Sequence, residues 1–382
     1  MVKFAVIAGA RPNFVKVAPL MEALKKAKDV QPILVHTGQH YDHLMSAAFF
    51  QDLEMPSPDI YLKVGSGTHA EQTAKILLAF EDYLLNNTVD CVIVVGDVNS
   101  TLACTLASSK CHVPVAHVEA GLRSFDRTMP EEVNRVVTDA LSDYLFTPSQ
   151  DGDENLRREG VPEDRVFQVG NIMIDTLRRY EQAARARLLA ARHGLKAKDY
   201  TLCTLHRPSN VDNEDTLRGI VAVIRRLAEK QPVVFPVHPR TRARMSAFGL
   251  ENHMQDTRVL LLDPLGYLDF LSLLVDAGLV LTDSGGIQEE TTVLGIPCLT
   301  LRESTERPVT VTVGTNRIVG TDPKRIVEAA KSAWAGDWAK GGIPDGWDGH
   351  TAERIVDILV RKKPSLAGRK HSSVCELKMP VF

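Results

Sequence analysis

The stretch VPVAHVEAGLRSFDRTMPEEVNR, residues 113–135, joins a β-strand pattern to a helical pattern through a charged loop. After the apolar run come three glutamates and three arginines: Glu119, Glu131, Glu132, Arg123, Arg127 and Arg135. Glu119 directly follows the strand pattern, and open α/β sheets bind their ligands at the carboxyl ends of parallel strands. Because folding alone requires no carboxylate there, the stretch indicates chemistry as well as a βα fold.

The same alternation of strand and helix repeats on both sides of this stretch. KFAVIA, PILVH, VDCVIVV and VPVAHV are strand patterns, followed by helical patterns over 13–27, 40–52, 99–110 and 131–141. A charged helical segment over 173–193 precedes a second series, with strand patterns YTLCTLH, PVVFPV, RVLLL, GLVLT and IPCLTL and helices over 214–229, 266–276 and 285–294. Such alternation predicts an α/β protein with two doubly wound, Rossmann-type domains.

The predicted domain boundaries follow from this order. We expect an N-terminal α/β domain over 1–170 and a C-terminal α/β domain over 171–349. The helical pattern TAERIVDILV belongs to a terminal helix at about 350–363, expected to join the first domain, and residues 364–382 lack periodicity and resemble a flexible tail.

Composition excludes several classes of protein. The chain has 382 residues, 44% of them hydrophobic, and a formal net charge of -3, so no broad positive field favours nucleic acid or a membrane surface. MVKFAVIAG runs directly into a strand pattern without a signal peptide, which predicts a soluble, cytoplasmic protein. The six cysteines show no CxxC spacing, which argues against disulfides and a cysteine metal site.

Two turns between strand and helix are candidate phosphate sites. The first, at Gly9, would use backbone N–H groups with Arg11 and Lys16, and an ordinary βα turn is the alternative. The second lies in VLTDSGGIQEETTVLG, where Gly285 and Gly286 would let a pyrophosphate approach the start of a helix. N-capping by Asp283 or Ser284 is the simpler explanation there, but it leaves the paired glycines unexplained, and Glu290 could accept from ribose hydroxyls. No GxGxxG motif occurs, which disfavours a dinucleotide cofactor.

Acids and histidines complete the candidate site. Asp97 in VVGDVNST, Glu119 and Glu131 are carboxylates suited to moving protons. His206 with Arg207, and His238, end two strand patterns and could contact a phosphate, although a strand-end histidine is as often structural. A metal site at His36, His40 and His43 is rejected, because HTGQHYDH offers no argued set of ligands.

These motifs together resemble the non-hydrolysing UDP-N-acetylglucosamine 2-epimerases of bacterial cell-surface polysaccharide pathways. The resemblance covers roughly residues 3–360 and rests on GARPNFVKVAPL, TGQHYDHLM, VVGDVNST, HVEAGLRS with PEEVNR, GNIMIDTL, LTDSGGIQEE with LGIP, and TERPVTVTVGTNRIVG. It implies the GT-B architecture, with a UDP-sugar bound in the cleft between two domains. It also implies a homodimer and a reaction that needs neither NAD nor a metal ion.

The resemblance further implies a reaction and the roles of residues. The family eliminates UDP across C1 and C2 of the sugar to give 2-acetamidoglucal, then adds UDP back with the proton on the opposite face. The matching catalytic positions are Asp97, Glu119, Glu131 and His206. The matching UDP-sugar positions are Arg11, Lys16, Arg207, Tyr267, Ser284, Gly285, Gly286, Glu290 and Arg307, with Glu290 on the ribose and Tyr267 near the uracil.

Two departures from the family leave alternatives open. Many members are activated by a second UDP-GlcNAc through QHR and HRRE segments, where this chain has Gln39-His40-Tyr41-Asp42 and His206-Arg207-Pro208-Ser209. The loop from Arg123 to Pro130 is short, so the substituents at C3 and C6 of the sugar stay open. The alternatives are a 2-epimerase of a UDP-2,3-diacetamido uronic acid, a hydrolysing epimerase, a GT-B glycosyltransferase and a nucleotide-sugar-binding regulator.

Overall fold

The computed structural model describes residues 1–39, 52–254 and 258–362. The chain forms two compact units, one of Met1–Thr176 with the chain from Asp345 on, the other of Leu177–Pro344. Each unit has one parallel β-sheet with helices connecting its strands. The prediction of two doubly wound α/β domains is therefore confirmed.

The described strands and helices alternate along most of the chain. The strands are β1 Val2–Ala8, β2 Val30–His36, β3 Ile60–Tyr61, β4 Cys91–Val95, β5 Val115–Val118, β6 Tyr144–Thr147, β7 Val166–Gln168, β8 Thr201–Thr204, β9 Val233–Pro236, β10 Val259–Leu262, β11 Leu279–Thr282, β12 Cys298–Thr300 and β13 Asn316–Ile318. The α-helices are α1 Arg11–Lys26, α2 His69–Asn86, α3 Asn99–Lys110, α4 Pro130–Leu141, α5 Gln150–Arg158, α6 Ile172–Ala186, α7 Leu189–Arg192, α8 Pro208–Val211, α9 Glu214–Ala228, α10 Pro239–Ala247, α11 Tyr267–Val275, α12 Gly285–Leu294, α13 Val309–Thr312, α14 Pro323–Trp334 and α15 Thr351–Arg361. Short 3-10 turns lie at Glu163–Arg165 and Glu251–Met254.

The two sheets share one strand order. In the first unit it is β3-β2-β1-β4-β5-β6-β7, and in the second it is β10-β9-β8-β11-β12-β13. The order reverses between β1 and β4 in one sheet and between β8 and β11 in the other. At such a reversal the connections on the two sides diverge and leave a crevice at the carboxyl ends of the strands, where ligands bind.

Burial explains why these segments are strands. All five residues of β4 and all four of β5 are buried, as parallel strands are when helices cover both faces of the sheet. The core of the first unit includes Ile76 and Phe80 of α2 packed with residues of β1, β4 and β5. None of the helices in the described part of the chain is long and apolar enough to cross a membrane.

The terminal helix α15 packs against α1 of the first unit. Its N-terminus is capped by Asp175, whose Oδ1 accepts from Thr351 N at 3.0 Å and whose Oδ2 accepts from Ala352 N at 2.7 Å. Since the first N–H groups of a helix have no partner within it, this carboxylate ties α15 to the start of α6. The sequence-based prediction of a helix over 351–360 is confirmed. The predicted helix over 40–52 falls on residues 40–51, outside the described residues.

Candidate active site

In the first unit, two of the predicted carboxylates leave the sheet side by side. Strands β4 and β5 pair so that Val95 lies opposite Val118, and Gly96 N donates to Val118 O at 3.0 Å. Asp97 and Glu119 follow these two strands, and so they lie on neighbouring loops at the same edge. This is the edge at which the strand order reverses.

Glu119 has a strained backbone and a buried carboxylate with one oxygen unpaired among the described residues. Its φ angle is +73°, in the left-handed region, although it carries a side chain. The side chain is buried, and Oε2 forms an ion pair with Lys16 Nζ. Oε1 is also buried and has no hydrogen-bond partner within the described residues. Backbone strain and an unpaired buried oxygen at one residue are typical of a functional position rather than of packing.

Lys16 therefore pairs with the carboxylate of Glu119, whereas the sequence analysis predicted that it would bind a phosphate. Two backbone N–H groups of the turn before Lys16 also have a partner already, because Asn13 Oδ1 accepts from Gly9 N at 3.2 Å and from Ala10 N at 3.0 Å. Asn13 Nδ2 donates to Val95 O at 2.9 Å, which ties the turn to β4. Arg11 begins α1. The phosphate role of this turn stays a prediction.

Asp97 is oriented by helix α4. Its Oδ2 accepts from Arg135 Nη2 at 2.6 Å and Nε at 3.0 Å, and its backbone carbonyl accepts from Asn134 at 2.8 Å. Glu131 lies in the first turn of the same helix, half-buried, and has no polar partner among the residues described. Helix α4 thus carries Glu131 and also orients Asp97 on the neighbouring loop.

Glu132, which the sequence did not single out as a site residue, fixes the loop between Glu119 and Glu131. Its carboxylate accepts from Ser124 N at 2.8 Å, from Ser124 Oγ at 2.9 Å and from Phe125 N at 2.9 Å. It also pairs with Arg135 at 2.8 Å. The loop therefore has a fixed base, while Phe125 is exposed.

In the second unit, the strands at the reversal also end in polar groups. Strands β8 and β11 pair so that Thr204 lies opposite Thr282, which places His206 and Arg207 beside Asp283. The buried Asp283 accepts from His206 N at 3.0 Å, from Arg207 N at 2.9 Å and from His206 Nδ1 at 2.7 Å. Burial alone would raise the pKa of Asp283, but these hydrogen bonds and the His206 ring hold it below its ordinary value. With Nδ1 engaged, Nε2 is the nitrogen of His206 left for a ligand.

The neighbouring histidine has a structural contact. The ring of His238 lies 5.9 Å from that of His206, and its Nδ1 accepts from Arg240 N at 3.2 Å at the start of α10. The structure thus brings the two strand-end histidines together, and the cap bond gives His238 a structural role, one of the two alternatives that the sequence analysis left open. Of the three histidines for which the sequence analysis rejected a metal site, His36 accepts from Gly38 N at 2.7 Å, and His40 and His43 lie outside the described residues.

The start of α12 lies beside several arginine side chains. Ser284 occupies the N-cap position but makes no side-chain cap bond, so N-capping does not account for this motif. A Cβ atom on Gly285 would collide with the guanidinium of Arg307, which Glu289 holds at 2.5 Å and Glu306 at 3.1 Å. The guanidinium groups of Arg207, Arg302 and Arg307 lie around the two carboxylates Glu289 and Glu306. With Asp283 these three arginines face three carboxylates, so it is the helix dipole and the N–H groups of the helix start, with the guanidinium donors beside them, that suit an anion at Gly285 and Gly286.

Glu290 and Tyr267 meet one helical turn further on. The Tyr267 hydroxyl donates to Glu290 Oε1 at 3.0 Å, and both side chains are buried. Burial raises the pKa of Glu290 to about 7, although the Tyr267 hydrogen bond opposes that shift. Motif spacing could not predict this contact, because Tyr267 and Glu290 lie on different helices.

The arrangement divides two kinds of chemistry between the units. The first holds carboxylates in three different environments, one paired with lysine, one with arginine and one without a polar partner, which suits proton transfer. The second holds an open helix start with arginines and an oriented histidine, which suits a diphosphate. No group of three or more His, Cys, Asp or Glu residues in the described ranges is placed to hold a metal ion.

Comparison with known proteins gives a consistent result. The family model described as UDP-N-acetylglucosamine 2-epimerase matches residues 22–360. A UDP-N-acetylglucosamine 2-epimerase from Methanocaldococcus jannaschii is 42% identical, with 94% of this chain and 100% of that protein covered. A UDP-2,3-diacetamido-2,3-dideoxy-D-glucuronate 2-epimerase from Pseudomonas aeruginosa is 41% identical, with 94% and 99% covered.

A solved structure agrees with the sequence matches. The crystal structure of the Methanocaldococcus jannaschii UDP-GlcNAc 2-epimerase in complex with UDP-GlcNAc and UDP has a TM-score of 0.86 to this chain at 42% identity. The match covers 94% of this chain and 100% of that one. The fold, the order of the motifs and nearly the whole length of the chain are thus shared, and the protein belongs to the UDP-N-acetylglucosamine 2-epimerase family.

Proposed function

We propose that the protein interconverts UDP-GlcNAc and UDP-ManNAc, in precursor synthesis for a cell-surface polysaccharide. The observation that carries the proposal is Glu119, a strained and buried carboxylate with one oxygen on Lys16 and the other without a partner in the described chain. The 42% identity to the Methanocaldococcus jannaschii enzyme supports this choice of substrate.

The reaction follows from the chemistry of the sugar. The hydrogen on C2 is not acidic, because no carbonyl group lies beside it, so simple removal and return of the proton would be very slow. In the proposed route a carboxylate takes the C2 proton, the C1–O bond breaks with its electron pair leaving on UDP, and a C1–C2 double bond forms. A second carboxylic acid then delivers a proton to the opposite face of C2, and UDP re-forms the bond to C1.

Each step is assigned to groups in the two units. In the first unit, Asp97, Glu119 and Glu131 provide the base and the acid, and Lys16 stabilises the charge on Glu119. In the second unit, His206, Arg207 and Arg307 and the start of α12 bind the diphosphate, whose leaving-group charge they stabilise. Glu290 binds the ribose hydroxyls, Tyr267 orients Glu290 beside the uracil, and Arg11 adds charge to the diphosphate site.

A second substrate is favoured by one specific observation. The Pseudomonas aeruginosa protein, named as the epimerase of a diacetamido uronate, is as similar to this chain, at 41%, as the Methanocaldococcus jannaschii protein. The same elimination would serve that sugar, because the chemistry involves only C1 and C2. We rank it second and include it in the test.

Proton NMR of the purified protein with UDP-GlcNAc in deuterated water tests the proposal. We expect the UDP-ManNAc anomeric signal and deuterium at C2 of both sugars. Glu119→Gln should lower kcat by a factor of about 100 or more with UDP affinity within about twofold, because the lost interaction acts in the transition state. The matched control is Glu22→Gln, which changes an exposed carboxylate on α1 that pairs with Lys26.

Three outcomes would contradict the assignment. Unlabelled UDP-GlcNAc after long incubation, with turnover of the diacetamido uronate instead, would move the protein to the second substrate. Release of free ManNAc and UDP would make it a hydrolysing enzyme. Full activity of Glu119→Gln would remove Glu119 from the catalytic groups.

We also propose that the active protein is a homodimer. The exposed large apolar side chains of the first unit include Leu78 and Leu85 on α2 and Val133 on α4. Apolar side chains grouped on a surface are typical of a protein interface.

A further inference from the structure

His117 is a buried histidine to which the proposed reaction assigns no part. It lies in β5, two residues before Glu119, and its side chain is fully buried. Its Nδ1 lies 2.6 Å from Asp139 Oδ1, and its Nε2 lies 2.9 Å from the carbonyl oxygen of Gly96. Gly96 directly precedes Asp97. One imidazole ring therefore connects the strand that leads to Glu119 with the loop that carries Asp97.

Asp139 extends the connection to the far side of Glu119. Its Oδ2 accepts from Gly121 N at 3.0 Å and lies 2.7 Å from Arg123 Nη2. Burial would raise the pKa of Asp139, but His117 and Arg123 hold it below its ordinary value, so the group is a carboxylate at neutral pH. Each ring nitrogen of His117 thus faces an oxygen atom, Nδ1 the Asp139 carboxylate and Nε2 the Gly96 carbonyl.

The Glu119 loop needs such a restraint. Gly96, Glu119 and Gly121 have φ angles of +71°, +73° and +79°, so each loop makes its turn through left-handed residues. A Cβ atom on Gly121 would collide with the carbonyl of Gly152, which shows how closely this loop packs on α5. A left-handed residue other than glycine is retained only when its surroundings hold it there. His117 Nε2 is hydrogen-bonded to the carbonyl of Gly96, beside Asp97, and Asp139 accepts from Gly121 N, two residues after Glu119.

We propose that His117 and Asp139 are positioning residues that fix the Asp97 loop relative to the Glu119 loop. This inference rests on the proposed function, in which carboxylates act on opposite faces of C2. If the link is cut, each carboxylate keeps its own environment, since Lys16 still pairs with Glu119 and Arg135 with Asp97. What changes is their separation. Exchange of the C2 proton at one face needs one carboxylate, whereas epimerisation needs both carboxylates at the right separation. Exchange is therefore retained better than epimerisation.

The ratio of two initial rates in deuterated water measures this effect. After the C2 proton is lost, deuterium can return to the same face, giving labelled UDP-GlcNAc, or arrive at the opposite face, giving labelled UDP-ManNAc. A variant that is only less stable has fewer active molecules, which lowers both rates by the same factor. A displaced carboxylate lowers the second rate more. Rates are taken before UDP-ManNAc accumulates, so that the reverse reaction adds no label.

Two substitutions separate the two hydrogen bonds of His117. The amide nitrogen of asparagine can take the place of Nδ1, and that of glutamine the place of Nε2. His117→Asn thus keeps a bond to Asp139 and loses Gly96, whereas His117→Gln keeps Gly96. We expect His117→Asn to raise the ratio of labelled UDP-GlcNAc to UDP-ManNAc by about tenfold or more, because small displacements of catalytic groups cost 10 to 100-fold. His117→Gln should restore a ratio nearer that of the wild type.

Asp139→Asn is the second test and Asp175→Asn the matched control. Asp139→Asn replaces a carboxylate oxygen that accepts from Gly121 N and pairs with Arg123, so it loosens the Glu119 loop and should raise the ratio. Asp175→Asn destabilises the cap of α15 in the same unit and should leave the ratio unchanged. Unchanged ratios in both His117→Asn and Asp139→Asn would overturn the inference even if their Tm falls. A wild-type protein that neither epimerises nor exchanges label would instead contradict the proposed function.

Discussion

At the scale of single residues, Glu119 and Glu290 are both buried carboxylates, but their surroundings differ. Glu119 has the ammonium of Lys16 beside it, so the charged form has a partner. Among the described residues, the hydrogen-bond partner of Glu290 is the neutral hydroxyl of Tyr267, and Glu289 nearby adds repulsion that raises the pKa of Glu290 further. The first group is suited to act as a charged base, and the second binds a proton in the pH range where enzymes work.

The pKa of Glu290 predicts a pH-dependent stability. Burial raises that pKa from 4.5 to about 7, so between these values the unfolded chain has lost the proton while the folded chain keeps it. The free energy of unfolding therefore falls as pH rises through this window, by about 3 kcal/mol at most for a shift of this size. Glu290→Gln removes the titration. The Tm of the variant minus that of the wild type should be near zero at pH 4.5 and positive at pH 8.

Glu22→Gln changes an exposed carboxylate and should give no trend in the Tm difference with pH. A Tm difference for Glu290→Gln that stays constant from pH 4.5 to pH 8 would show that the group does not titrate in this range.

At the scale of elements, the start of α12 depends on Gly285. An alanine there would place its Cβ against the Arg307 guanidinium, which Glu289 and Glu306 prevent from moving aside. We expect Gly285→Ala to weaken UDP binding at least about tenfold, or 1.4 kcal/mol, measured by isothermal titration calorimetry. Binding should suffer because the arginine must leave the anion site or the helix start must shift.

A second glycine provides the control for this prediction. Gly219 lies inside α9, where an added Cβ would meet only Pro323 at 3.7 Å, an ordinary contact. Gly219→Ala should keep UDP affinity and raise Tm slightly, since alanine favours a helix. Equal UDP affinity in Gly285→Ala and the wild type would mean that the diphosphate does not bind at this helix start.

The elements that sequence reasoning found and missed differ in length and pattern. Long buried runs such as CVIVV predicted β4, and the helix over 99–110 was predicted with the bounds the structure has. Strands β7 and β13 were missed because they lie at the edges of their sheets and are partly exposed, so they have no continuous apolar run. Strand β6 was missed although it is buried and as long as β5. Helix α2 was missed although Gln72, Ile76, Phe80 and Tyr83 form its buried face at helical spacing.

Contacts between elements were mostly beyond the reach of the sequence. Motif resemblance named Asp97, Glu119 and Glu290, but pairing Lys16 with Glu119, or Tyr267 with Glu290, requires distances between distant parts of the chain. His117 could have been noticed as a histidine inside an otherwise apolar strand, a position where a buried polar group needs a partner. Its partner Asp139 lies on the next helix, and only the folded chain shows the bond.

At the scale of the whole molecule, the functional groups are distributed by unit. The first unit holds Asp97, Glu119 and Glu131, and the second holds His206, Arg207 and the start of α12. Each group lies where the strand order of its own sheet reverses. In the proposed function neither unit is sufficient, because proton transfer at C2 must accompany departure of UDP from C1.

The exposed face of α2 predicts where the proposed homodimer forms. Leu78 and Leu85 are 63% and 54% exposed and lie seven residues apart on α2, so they share one face of that helix, opposite the buried face. Ala74, one turn before Leu78, lines a surface depression together with Val133 of α4, which extends the apolar surface to a second helix.

Light scattering coupled to size-exclusion chromatography should give the mass of a dimer for the wild type, and a monomer for Leu78→Lys, because a lysine at the interface must lose its hydration. Leu188→Lys, at an exposed leucine of the second unit, is the control and should stay dimeric. A monomeric wild type at micromolar concentration would refute the dimer, and a dimeric Leu78→Lys would move the interface away from α2.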